Sequence, residues 1–293
     1  MPRTWRLMVT PTRHTTSAKG KIILCGEYAV VFGHAGIAVP SALSTEVTFE
    51  PGTDWKIVWN GLCGDRTKAD AYVQKILDAT GKKEYGTLHI TNSIPLGKGM
   101  GSSTALTIAI ARALGITKRD EVLAIENIVN PGHSGIDFAV IWEEKPVYFK
   151  KPNPPKLIDL PPAITDALQN AILIDTGAPN ETTPELVTFI TMRHVQGDKV
   201  IEPAIHTIGG CAQRLMNGED VLAVVREHHR AQINLGVVSR EAQSLIKKIE
   251  QGGGAAKVIG AGGKTGGSGM VIAFDADPRI VEGMDLEVIE NEE

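Results

Sequence analysis

Aromatic residues are scarce, at 5% of the sequence, and there are only three cysteines. Cys25, Cys63 and Cys211 form no Cys-x-x-Cys pair. An odd, scattered set supports neither a disulfide framework nor a thiolate zinc site, so the reducing cytoplasm is the expected compartment. No stretch reaches the ~18 consecutive apolar residues that a membrane span needs. The opening residues, MPRTWRLMVTPTRHTT, contain no apolar core of a secretory signal. Charge of one sign is also missing: 34 acidic against 30 basic residues leave a net charge of −4. Neither nucleic acid nor a membrane is therefore an expected partner. A small-molecule substrate is, and a homodimer is compatible with the composition.

With 42% hydrophobic and 22% charged residues over 293 positions, the chain reads as one large globular domain or two ordinary ones. Glycine is abundant, with 31 residues. Strands are expected at Lys21–Cys25, Val39–Phe49, Trp55–Trp59 and Thr87–Thr91, with a helix over Ala69–Ala79. A glycine loop from Asn92 to Ser103 opens into an Ala- and Leu-rich helix, Thr104 to Gly115. A further helix spans Arg119–Val129, followed by strand-like stretches at Phe138–Trp142 and Val147–Phe149. The run Lys151-Pro152-Asn153-Pro154-Pro155 is stiff and poor in backbone donors, and places a domain break near residue 155. Beyond it come a strand at Ala171–Ile174 and helices over Thr183–Thr191, Glu202–Asn217 and Glu219–Asn234. A final amphipathic helix, Ser239–Gln251, faces the core with Ala242, Leu245, Ile246 and Ile249. Gly252 to Gly269 holds nine glycines in eighteen residues. Its flanking strands, Lys257–Ile259 and Met270–Phe274, suggest a strand-loop-strand unit whose open backbone admits a ligand. The acidic end, Glu290-Asn291-Glu292-Glu293, reads as a solvated tail.

The sharpest feature is Pro95-Leu96-Gly97-Lys98-Gly99-Met100-Gly101-Ser102-Ser103. Three alternating glycines allow a concave run of backbone N–H groups, the helix N-terminus adds partial positive charge, and serine hydroxyls can donate to phosphate or ligate magnesium. A plain helix cap would need only the serine; the full run points to phosphate binding. A Rossmann loop is excluded because Asp120, at the right spacing, begins a helix rather than ending a strand. A Walker loop is excluded because Val258 stands where Gly263-Lys264-Thr265 would need a glycine. Glu126 and Asp137 lie eleven residues apart and could supply a metal ligand and a carboxylate beside an acceptor hydroxyl. A solvated helix residue and a turn residue would look the same. Lys21, among strand residues, could orient an aspartate and neutralise a transferred phosphoryl group. His228 and His229 point apart on a helix and complete no ligand set.

Taken together, these residues resemble the GHMP kinases, the family of galactokinase, homoserine kinase, mevalonate kinase and phosphomevalonate kinase. Ala18 to Gly33 is similar to the first family motif, Pro95 to Ala105 to the phosphate loop, and Lys257 to Gly269 to the third motif. Within the family, Ser134-Gly135-Ile136-Asp137 preceded by Glu126, and Asp175-Thr176-Gly177 followed by Thr182-Thr183-Pro184-Glu185, follow the mevalonate kinase pattern. The resemblance implies an α+β protein with an N-terminal domain of the ribosomal S5 type (1–155) and a C-terminal ferredoxin-like domain (156–293). It implies ATP and Mg2+ as cofactors and phosphoryl transfer to an alcohol group. Asp137 would serve as base or orienting group with Lys21 as its partner. Pro95, Gly97, Lys98, Gly99, Met100, Gly101, Ser102 and Ser103 would hold the triphosphate, and Ser103 and Glu126 the metal. Glu27, Tyr28, Thr183 and Gly262 would lie near the acceptor. The chain departs from the family at Lys19, which replaces a proline, at Tyr28, which replaces a common histidine, and at Pro131-Gly132-His133 before Ser134. Lys264-Thr265 adds bulk to an otherwise all-small loop, and the added lysine could grip a second phosphate or a carboxylate.

Overall fold

The computed structural model describes residues 14–62, 64–280 and 287–290, the last for their backbone only. Cys63 lies outside them, as do Asn291, Glu292 and Glu293 of the acidic end. The chain folds around two sheets. The first is built on β2 (Gly36–Gly52), which pairs antiparallel with β1 (His14–Cys25), β4 (Tyr85–Asn92) and β5 (Val147–Phe149). β3 (Lys56–Trp59) adds parallel to β4, and the two-residue β6 (Lys156–Leu157) adds to β5. In β1 the residues from Gly20 to Cys25 are all buried, so this half of the strand lies in the core rather than on an alternating surface.

Helices cover this sheet in two layers, with the second helix directly on the strands and the first and third packed on the second. In α1 (Arg66–Thr80) Asp65 caps the N-terminus by accepting from the Lys68 N–H, and Ala69, Val73, Ile76 and Leu77 face inward. α2 (Ser102–Ala113) is buried on nearly every side and packs against both β1 and β2. α3 (Arg119–Val129) carries Glu126 on its buried face. The segment expected as a strand at Phe138–Trp142 is instead α4 (Ile136–Glu143). A short apolar run surrounded by core has no periodicity to separate strand from helix. What decides it is Gly135, left-handed at φ 97°, with Asp137 in the first turn.

The second sheet has strand order β10-β7-β9-β8, all antiparallel, from β7 (Ile172–Asp175), β8 (Ala255–Val258), β9 (Met270–Phe274) and β10 (Glu287–Glu290). Glu290 therefore belongs to a paired strand and not to a solvated tail. α5 (Pro162–Gln169) was not expected. Pro162 occupies the first turn, where a missing N–H costs nothing. α6 (Thr183–Val195) opens on a capping box formed by Thr182 and Glu185. α7 (Ile201–Met216) and α8 (Val221–Leu235) follow, and α9 (Arg240–Gln251) buries the four apolar residues expected of it. The main core cluster draws on both halves of the chain, joining Ile108 and Leu88 with Cys211, Ala255 and Ile272.

Candidate active site

The glycine loop lies at the junction of the two sheets. Gly97, Gly99 and Gly101 take φ of 71°, 86° and 77°, a region closed to most side-chain-bearing residues. Gly101 is the N-cap of α2 and supplies no capping side chain. The amides that open α2 therefore have no intrahelical acceptor and are free to bind an anion. Three contacts fix the loop. The Lys21 N–H donates to the Met100 carbonyl at 2.9 Å, and the Met270 N–H donates to the Lys98 carbonyl at 3.0 Å. The Lys98 ammonium ion-pairs with Asp175 at the end of β7. Gly99 packs so closely on the third motif that a Cβ there would lie 2.3 Å from the Ile259 carbonyl.

Lys21 and Asp137 meet. Nζ lies 3.1 Å from Asp137 Oδ1, with the lysine 2% and the aspartate 35% exposed. The lysine stem runs along Gly101, where a Cβ would come within 2.9 Å of Cγ. One buried lysine thus lies along the phosphate-loop helix start with its stem and meets a partly exposed carboxylate with its ammonium. Glu126 is buried, and its Oε1 accepts from Thr104 Oγ1 at 2.7 Å and Asn130 Nδ2 at 2.9 Å. Its Oε2 has no hydrogen-bond partner, a costly arrangement unless a cation completes it. Ser103, half-buried in the first turn of α2, carries a second oxygen donor. Among the described residues no group of three His, Cys, Asp or Glu side chains could hold a metal unaided. A carboxylate and a hydroxyl suit Mg2+ only when phosphate oxygens and water supply the remaining ligands.

The residues assigned to the acceptor are placed differently from one another. Thr183 is exposed at the start of α6. Gly262 is buried against the Val237 carbonyl. Tyr28, left-handed at φ 63° and 5% exposed, donates its hydroxyl to the Ala261 carbonyl, so that donor is already used. Glu27 is enclosed. Lys257 of β8 ion-pairs with one carboxylate oxygen, and His228 Nε2 lies 2.9 Å from the other. Lys257 also donates to the Ile23 carbonyl at 2.9 Å. A separation of 2.9 Å from a carboxylate requires a proton on Nε2, so the Gly26 N–H that lies 3.4 Å from the same nitrogen has no acceptor there. Burial pushes the Glu27 carboxyl upward, but Lys257 and His228 outweigh it and hold the group at about 2.

Sequence reasoning missed both the Lys98–Asp175 pair and the Glu27–Lys257–His228 group. The available signal was Lys257 itself, a charge inside an otherwise apolar strand, which demands a partner. The glycine-rich third motif admits protein rather than a ligand: a Cβ at Gly267 would lie 2.1 Å from the Gly177 carbonyl. Lys264 reaches back over the Phe189 ring, 4.0 Å from its centroid. Cys25 and Cys211 are buried thiols, with burial pushing Cys211 up to about 12, and both are chemically quiet.

Two sheets clasping a glycine loop, with a lysine–aspartate pair at its helix start, define a protein of the GHMP kinase fold. Residues 69–141 match the family described as GHMP kinases N terminal domain. The chain is 27% identical over 300 residues to a mevalonate kinase from Thermococcus onnurineus (strain NA1), covering 86% of this chain and 87% of that protein. It superposes on the mevalonate kinase of Methanococcus jannaschii with a TM-score of 0.74 at 19% identity, covering 95% of this chain and 97% of the other. It superposes on an L. major mevalonate kinase in complex with R-mevalonate with a TM-score of 0.72 at 19% identity, covering 97% and 98%. The resemblance to the GHMP kinases read from three motifs is borne out, and so is the α+β fold. No helix among the described residues is long and apolar enough to cross a membrane.

Proposed function

We propose that this chain is an ATP- and Mg2+-dependent kinase that phosphorylates the primary hydroxyl of mevalonate to give 5-phosphomevalonate. The observation that carries the reading is the Lys21–Asp137 pair at 3.1 Å, set against the first turn of the phosphate-loop helix. Asp137 accepts a hydrogen bond from the acceptor hydroxyl and aims it in line with the γ-phosphoryl group. For a loose transition state this positioning counts for more than early proton removal. Lys21 stabilises the carboxylate and the charge spreading over the transferred group, and the open amides of α2 hold the non-bridging oxygens. When bound, Mg2+ neutralises phosphate charge, held by Glu126 and Ser103. In this reading residues 1–155 carry the nucleotide loop and catalytic pair, and 156–293 form the second domain. The names of its relatives supply the acceptor; the site supplies the chemistry.

A second acceptor within the same chemistry is favoured by one observation: Glu27 and Tyr28 are both turned inward onto protein partners. With neither side chain free to meet an acceptor, phosphomevalonate, another hydroxyl of mevalonate, or a small alcohol such as homoserine stands as the alternative. An ADP-release assay with ATP and Mg2+, run in parallel on mevalonate, phosphomevalonate, homoserine and galactose, separates these. Turnover on mevalonate alone, with phosphorus NMR giving a 5-phosphate, is the expected result. Turnover on a different acceptor refutes the mevalonate assignment and keeps the kinase, whereas ATP binding without turnover on any refutes both and favours a ligand sensor.

A further inference from the structure

A groove of about 560 Å3 opens between α8 and α9, on elements that do not carry the glycine loop or the Lys21–Asp137 pair. Its wall on α9 is formed by Arg240, Ser244 and Lys247, spaced four and three residues apart and so aligned along one helix face. Arg230 of α8 faces them across the groove. None of the three cations has a carboxylate partner among the described residues, although most other described arginines do. Glu250, which could pair with Lys247 one turn away, lines the same groove without doing so, and its Oε1 is buried with no hydrogen-bond partner. His229 lines the groove too, 4% exposed, with Nδ1 likewise unpartnered.

Helix stability does not explain this pattern. Arg240 at the first position of α9 and Glu250 in its last turn carry the signs that the helix dipole disfavours. Three unpaired cations repel one another, and two buried polar atoms lack partners; a ligand that brings negative charge and a hydrogen-bond donor answers both costs at once. Two guanidinium groups favour the oxygen geometry of phosphate, which they bind in a forked fashion. Glu250 Oε1 adds an acceptor suited to a ligand hydroxyl.

We infer that the α8–α9 groove is a second anion-binding site, separate from the nucleotide loop, that takes a small phosphorylated molecule bearing a hydroxyl group. Arg230, Arg240 and Lys247 hold the phosphate, and Glu250 and His229 meet the polar body of the ligand. The site also lies one residue from the ion group beside the first motif, since His229 follows His228, which pairs with Glu27.

The probe is glycerol 3-phosphate, with inorganic phosphate and acetate as controls, titrated calorimetrically into protein whose nucleotide loop is first saturated with a non-hydrolysable ATP analogue and Mg2+. One equivalent of glycerol 3-phosphate binding at sub-millimolar concentration is expected, tighter than phosphate and much tighter than acetate. Arg240→Ala combined with Lys247→Ala, both exposed and unpaired, weakens it at least tenfold while basal kinase turnover is unchanged. Glu250→Gln narrows the gap between glycerol 3-phosphate and phosphate. Absence of saturable binding, or equal binding by the double variant, overturns the assignment. Equal affinity for phosphate and glycerol 3-phosphate overturns the part assigned to Glu250 and His229.

Discussion

Lys257→Met keeps most of the buried stem and deletes the ammonium that faces Glu27, in a strand otherwise made of alanine and valine. The carboxylate is then left inside the protein with His228 alone, an imidazole that burial holds below its ordinary value. Removing one partner of a buried ion pair costs about 3–5 kcal/mol. The depressed carboxyl points the same way: although burial pushes it upward, Lys257 and His228 hold it at about 2 against an ordinary 4.5, so the folded protein favours the ionised form. A carboxyl whose folded pKa is depressed contributes stability that is present above the unfolded value and is lost as pH falls toward the folded one. Wild type should therefore lose this contribution between about pH 4.5 and pH 2. In the variant the buried carboxyl is raised instead, and stability declines as pH rises above its unfolded value. The deficit should then be ~3–5 kcal/mol at pH 7, with a melting temperature about 6–10 °C lower, and should narrow steadily in acid. Glu27→Gln combined with Lys257→Met removes both charges and should recover most of the loss. Urea unfolding followed by far-UV circular dichroism at pH 7, 5 and 3.5 measures all three proteins. A deficit under about 1 kcal/mol at pH 7, a deficit that ignores pH, or a double variant no better than the single would refute the argument.

Three further outcomes follow from the site. Asp137→Asn should lower kcat by roughly 10²–10⁴-fold, the range expected of a positioned acid–base group, with nucleotide affinity within a few-fold of wild type; near-normal turnover would remove Asp137 from the chemistry. Gly99→Ala must displace either the phosphate loop or the third motif, because its Cβ would lie 2.3 Å from the Ile259 carbonyl, and the KM for ATP should rise at least tenfold. Gly97→Ala, which meets nothing within 4 Å, should cost only the left-handed strain of about 1 kcal/mol, so similar kinetic defects in the two variants would count against the packing argument. Glu126→Gln removes the charge but not the size of the carboxylate, and should raise the Mg2+ concentration for half-maximal turnover about tenfold while leaving the melting temperature of the metal-free protein unchanged or higher; an unaltered Mg2+ dependence would free Glu126 from the metal role.

The helices with one apolar face were legible because their burial is local in sequence. Ala242, Leu245, Ile246 and Ile249 point inward as their spacing demands, and α3 runs over the residues expected of it. Phe138–Trp142 was misread because a segment buried on every side carries no alternation, and the information that makes it helical sits outside it, in Gly135. The site divides along the same line. The glycine loop could be read because a left-handed backbone needs glycine at each step, and the sequence records that need directly. In the third motif Gly260, Gly262, Gly266 and Gly269 are left-handed too, but Gly260 and Gly267 also let the Gly99 and Gly177 backbones approach, which is a demand made by distant residues and therefore invisible in the motif. Long-range charge pairs are the limiting case. Lys257 announces that some anion must lie near it, but which one is decided by how β8 meets the end of β1, a contact spanning 230 residues. A buried charge in a strand is thus a question posed locally and answered only by the fold, and the answer here joins the two sheets beside the first motif rather than presenting Glu27 to a substrate.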